Sequence, residues 1–147
     1  MTYVEEIRDL FTAPDDYYFV QCISADFGMG KGIAVEFNKR FNTKLNLCSS
    51  CPGYLDTWRT YHIIGDCIME GRVLNLITKE RYYHKPSYIS MQYALEKMRV
   101  LCRLYNIKKI AMPTIGCGLD RLEWSKVAIQ IQTVFKNDDI EILVCKQ

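Results

Sequence analysis

The sequence lacks three things, and each absence excludes a class of function. No apolar run reaches the roughly 18 residues that a membrane span needs. The opening "MTYVEEIRDLF" is acidic and polar where a signal peptide is basic and then apolar. An intracellular protein, cytoplasmic and/or nuclear and with no membrane partner, is expected. A basic excess is also missing: 19 Lys and Arg against 17 Asp and Glu leave a formal charge of +2. That is too little to attract nucleic acid by electrostatics alone, so any anion has to be gripped locally. The third absence is a metal-ligand pattern. His62 and His84 stand alone, and Cys48 with Cys51 forms half of a zinc site without a second pair. No metal is expected. The seven cysteines, an odd and scattered set, are expected to be mostly reduced.

What is present is the balance of a globular protein: 49% hydrophobic and 24% charged residues over 147 positions, enough for one domain, 1–147, and too few for two. A monomer is the default expectation. Apolar runs rich in β-branched residues predict strands at "YYFVQCIS", "TYHIIGDCIM", "RVLNLIT", "KKIAMPTI" and "IEILVC". Three amphipathic helices alternate with them. One carries Ile33, Ala34, Phe37 and Phe41; the second carries Met91, Ala94, Leu95, Met98, Leu101, Cys102 and Tyr105; the third carries Leu122, Trp124, Val127, Ala128, Ile131, Val134 and Phe135. Helices alternating with buried strands imply an α/β fold, a three-layer α/β/α sandwich around a mixed central sheet. The stretch "FNTKLNLCSSCPGYLDT" reads as a long irregular insertion.

Ligands in such sheets bind where strand-to-helix loops converge. Two loops qualify, "ADFGMGKG" after Ser24 and "TIGCG" after Pro113, each pairing glycines with an expected helix N-terminus. Gly28, Gly30 and Gly32 do not give a dinucleotide fingerprint, and Gly32 stands where a P-loop needs Ser or Thr. Singly, each loop is equally well read as a tight connection; together in one small domain they favour a diphosphate. Asp120, three residues before Glu123, has the layout of a helix N-cap, which does not exclude a catalytic role. Lys79 closes a strand within a basic patch of Arg81, His84 and Lys85. By position it is a solvated strand-end lysine, and to act as a nucleophile it needs the lowered pKa that such neighbours supply. Tyr82, Tyr83 and Tyr88 read as packing aromatics of a solvated loop.

"TYVEEIRDLF", "CISADFGMGKGIAVEF", "LITKERYYHKPSY" and above all "MPTIGCGLDRLEW" resemble the macro domain family, in the branch of terminal ADP-ribose protein glycohydrolases and O-acetyl-ADP-ribose deacetylases. The resemblance spans nearly the whole chain. It implies an ADP-ribose pocket in which Asp9 contacts adenine with Leu10 beside it. Ser24 and Gly30, Lys31, Gly32 and Ile33 would wrap the distal ribose and part of the diphosphate. Thr114, Ile115, Gly116, Cys117, Gly118 and Leu119 would form the second phosphate loop. It further implies that Lys79 attacks the anomeric carbon of the distal ribose and that Asp120 serves as acid and base, with no metal or organic cofactor. The implied partners are ADP-ribose and ADP-ribosylated protein, or O-acetyl-ADP-ribose; nucleic acid enters only as a modified substrate. The alternatives are a non-catalytic ADP-ribose reader and a hydrolase of ADP-ribose 1''-phosphate or of nucleic-acid-linked ADP-ribose. Arg8, Gly28, Lys31 and the segment "CSSCPGYLDTW" depart from the family pattern.

Overall fold

The computed structural model describes all 147 residues. Its elements run β1 (Thr2–Ile7), β2 (Tyr18–Ser24), α1 (Ile33–Phe41), α2 (Thr43–Ser50), α3 (Tyr54–Thr60), β3 (Asp66–Glu70), β4 (Val73–Lys79), α4 (Tyr88–Leu104), β5 (Lys109–Met112), α5 (Trp124–Phe135) and β6 (Glu141–Lys146). A 3-10 turn, Leu10–Thr12, follows β1. The strands form one sheet in the order β1-β6-β5-β2-β4-β3. All neighbours pair parallel except β3 with β4, which are joined by the tight turn at Gly71 and Arg72.

The period-2 alternation of β2 and β4 divides the core between two faces. Val20, Leu74 and Leu76 face α4 and α5, packing with Met91, Leu95, Met98, Val127, Ile131 and Phe135. Phe19 and Val73 face the other way onto Phe37 of α1, and Ile23 and Ile77 onto Leu47 of α2 and Trp58 of α3. This is the three-layer sandwich expected from the sequence. One polar pair sits inside it: Gln21 Nε2 donates to Asn75 Oδ1 at 2.9 Å, from positions directly paired between β2 and β4. A register slip would strand both amides, so the pair specifies alignment as well as stability.

The structure departs from the sequence reading at five places. β1 was not anticipated because five of its six residues are exposed; it carries no apolar signature and is held by backbone pairing to β6, from Thr2↔Glu141 to Ile7↔Lys146. The supposed irregular insertion holds two short helices, α2 and α3, which bury only Thr43, Leu47 and Trp58 and so leave little periodic trace. β3 begins at Asp66, after a turn in which His62 has φ 51°. Tyr105 lies past the last turn of α4 and is exposed. α5 begins at Trp124, so Leu122 precedes it and Glu123 is its cap position.

Gly65, just ahead of β3, lies against α4, where an added Cβ would stand 2.1 Å from the Ser90 carbonyl oxygen and 3.0 Å from the Ala94 nitrogen. Backbone cannot swing aside as a side chain can. Gly65→Ala is expected to destabilise the fold by at least the about 1–3 kcal/mol typical of overpacking, seen as a lower midpoint in urea.

Candidate functional site

Because β1, β6, β5, β2 and β4 are parallel, their carboxyl ends share one edge of the sheet. Asp9 follows β1, Thr114 to Asp120 follow β5, Ser24 ends β2 and Lys79 ends β4. With strands about 4.8 Å apart, the row from Asp9 to Lys79 spans roughly 19 Å. Asp9, Ser24, Lys79 and the Thr114–Asp120 loop therefore lie along one crest. At its Lys79 end the register slips: Ile23 pairs with Ile77 but Ser24 pairs with Lys79. Thr78 is the extra residue, its buried Oγ1 without a hydrogen-bond partner. Such slips re-aim a strand end next to a site.

Lys79 Nζ donates to Asp120 Oδ1 at 2.5 Å, and the two side chains are only 11% and 14% exposed. The pair bridges over β2, joining the end of β4 to the turn after β5. Asp120 is not a helix cap, contrary to its spacing from Glu123, because α5 starts four residues later and its cap position, Glu123, makes no side-chain capping bond. The second loop thus does not run straight into a helix N-terminus; Arg121, at φ 63°, turns the chain first. Nor do the basic neighbours cluster on Lys79. His84 Nδ1 accepts from the Arg81 N–H at 3.2 Å, and Lys85 Nζ donates to the Leu119 carbonyl at 2.7 Å. Lys85 so fixes the residue next to Asp120.

Gly116 turns at φ 75°, and an added Cβ there would meet Met91 Cε at 2.9 Å. The Leu119 side chain, 60% exposed, reaches within 3.7 Å of where a Gly32 Cβ would stand, so the two loops lie side by side. Gly32, at φ 63°, starts α1 with no side-chain capping bond, and of the first-turn N–H groups Val35 donates to the Gly32 carbonyl at 3.2 Å. Gly30 and Lys31 are exposed at the tip.

The base of the first loop is built from residues the sequence reading passed over. Phe27 and Met29 are buried, and the Phe27 ring stacks on Tyr54 at 5.4 Å, with Trp58 beside Tyr54. The segment α2–α3 is therefore the floor beneath the loop. Asp26 Oδ1 accepts from the Ser24 hydroxyl and from the Gly28 N–H at 3.0 Å, while Oδ2 accepts from the Tyr82 N–H at 3.1 Å. Burial works against its charge, but these donors, with Arg81 nearby, outweigh burial and hold the carboxyl below its usual range. The Asp-Phe-Gly run was the available signal, since Asp two residues before Gly forms an Asx turn.

At the far end of the crest, Asp9 is exposed, its Oδ1 accepting from the Phe11 N–H at 2.9 Å, and Leu10 is buried beside it. Arg8 straps this turn, donating to Thr12 O at 2.7 Å and to Glu6 at 3.1 Å. No group of three or more His, Cys, Asp and Glu side chains is placed to hold a metal. All seven cysteines are free.

No protein-family model matches the chain. The human ADP-ribose glycohydrolase OARD1 is 39% identical over 145 residues, covering 98% of this chain and 90% of that protein, and its bovine counterpart is equally similar. The chain belongs to the OARD1 family of macro domains. Among solved structures, the macrodomain of Thermus aquaticus DarG superposes with a TM-score of 0.80 at 20% identity, covering 99% of both chains. The structure of Thermosipho africanus DarTG in complex with ADP-ribose gives a TM-score of 0.71 at 16% identity, covering 99% of this macro domain and 42% of that chain. No helix of the macro domain is long and apolar enough to cross a membrane.

Burial, reinforced by the Asp120 carboxylate, raises the Cys117 thiol to about 11; burial and the same carboxylate raise Cys22 further. Both are expected to resist iodoacetamide at pH 7.5, whereas Cys48, exposed on α2, is alkylated. Peptide mass mapping after a timed reaction checks this.

Proposed function

We propose that this macro domain binds ADP-ribose along the crest and hydrolyses its bond to a carboxylate, releasing ADP-ribose from acidic side chains or from O-acetyl-ADP-ribose. The observation that carries this reading is the 2.5 Å contact between Lys79 and Asp120, a nucleophile and an acid/base group held together at one end of the ligand row. The 39% identity to a human protein named an ADP-ribose glycohydrolase supports the substrate class, and the ADP-ribose bound in the DarTG structure supports the ligand.

In the proposed binding mode adenine lies by Asp9 and Leu10. The diphosphate runs between Gly30–Ile33 and Thr114–Leu119, whose glycines admit it close to the backbone. The distal ribose sits over Ser24, next to Lys79. Lys79 must shed a proton before attack, and Asp120 is in place to take it. The Lys79 nitrogen then bonds to the anomeric carbon as the bond from that carbon to the carboxylate oxygen breaks, the leaving carboxylate keeping the electron pair and taking the proton that Asp120 holds, which returns Asp120 to its ionised form. Asp120 next takes a proton from water, which adds at the same carbon; the carbon–nitrogen bond breaks and the amine regains a proton. This sequence draws on side chains and water alone.

Lys79→Ala and Asp120→Ala are each expected to slow release of ADP-ribose from a glutamate-linked conjugate by roughly 10²–10⁴-fold, with calorimetric affinity for ADP-ribose close to that of the intact chain. Removing one partner of a fully buried pair costs about 3–5 kcal/mol, and this part-exposed pair is expected to lose less, so melting curves accompany the rates. Binding without turnover in the intact chain would make it a reader instead. Product analysis on ADP-ribose 1''-phosphate and on nucleic-acid-linked ADP-ribose separates the remaining substrates.

A further inference from the structure

The family resemblance implies a place for Ser24 at the distal ribose; the structure adds what its hydroxyl does with its proton. Ser24 is 1% exposed as a residue and its Oγ–H donates to Asp26 Oδ1. A hydroxyl carries a single proton, so with that proton given to a carboxylate the oxygen can only accept from anything else. Asp26 is meanwhile saturated by N–H donors from two segments, Gly28 in its own loop and Tyr82 in the loop after β4. The backbone repeats the tie on both sides of it: Ala25 N–H donates to the Lys79 carbonyl at 2.9 Å, and Asp26 N–H to the Glu80 carbonyl at 3.2 Å. Tyr82 also closes against Gly28, where an added Cβ would stand 2.7 Å from Tyr82 Cβ.

We infer that Asp26 is a positioning residue: it clasps the first glycine loop to the chain leaving Lys79 and turns Ser24 into an obligate acceptor that reads a hydroxyl group of the distal ribose. Asp26 touches no substrate in this arrangement and acts through Ser24 and Lys79. Its carboxyl, held below the usual range, stays ionised through neutral pH, so the clasp loosens only as pH falls through that lowered value. The ribose-reading half of the inference rests on the binding mode proposed above; the clasp itself does not.

Asp26→Asn keeps the shape but replaces one acceptor oxygen by a donor, so either the Ser24 and Gly28 contacts or the Tyr82 contact is lost. The distinguishing measurement is calorimetry with two probes, ADP-ribose and ADP, which lacks the distal ribose. Asp26→Asn and Ser24→Ala are each expected to weaken ADP-ribose by up to about tenfold, the upper range for a neutral hydrogen bond, and to leave ADP unchanged; the double variant is expected to lose no more than either single one. Equal weakening of both probes, or of neither, would overturn the reading role, the first outcome assigning Asp26 to general loop stability. Amide exchange without ligand tests the clasp on its own: the Gly28 or the Tyr82 N–H group should exchange faster in Asp26→Asn, and unchanged exchange of both would overturn it. An intact chain that binds neither probe would refute the proposed function while leaving the exchange result to decide the clasp.

Discussion

The ion pair between Lys79 and Asp120 is the interaction on which the site depends. Its partners come from strands that are not neighbours, so it exists only when β4, β2 and β5 are aligned and the turn after β5 has folded back over β2. Two mostly buried charges are expensive to bring together and strongly favour staying paired once there. That makes the pair a poor device for stability and a good one for holding the end of β4 and the turn after β5 in one arrangement.

Much of the molecule can be understood as support for that placement. The buried Gln21–Asn75 amide pair fixes the register of β2 on β4, and the one-residue slip at Thr78 then sets Lys79 opposite Ser24. Lys85 pins the Leu119 carbonyl, one residue from Asp120. Beneath the first loop, Phe27 and Met29 sink into a cluster with Leu47 and Trp58, so the glycines at its tip can remain free of side chains without the loop losing its anchor. Glycine-rich backbone at the loop tip and apolar anchoring just behind it are complementary needs, met here by adjacent residues.

The sandwich, its two helix-bearing faces and five of the six strands were legible because their apolar residues form short buried runs or repeat with periods of 2 and 3.6. β1 was not, since an exposed edge strand held by backbone bonds writes nothing into side-chain pattern. α2 and α3 were missed for a related reason: helices of eight and seven residues with one or two buried side chains fall below the length at which periodicity is visible. At the site, spacing misled for Asp120, because Asp and Glu three apart describe a cap only if a helix follows at once, and Arg121 in a left-handed conformation postpones it. The Lys79–Asp120 contact joins residues 41 apart in sequence, and no local pattern could announce it; the family resemblance supplied both names but not the distance.

The central claim is that Lys79 itself bonds to the sugar. The most direct measurement is mass spectrometry of the intact chain quenched during turnover of a glutamate-linked ADP-ribosylated substrate, with a reducing agent present to trap the adduct. The account predicts a mass increase of one ADP-ribose that maps to the peptide carrying Lys79 and is absent from Lys79→Ala. Active enzyme that never accumulates such an adduct, or that carries it on another residue, would contradict the account.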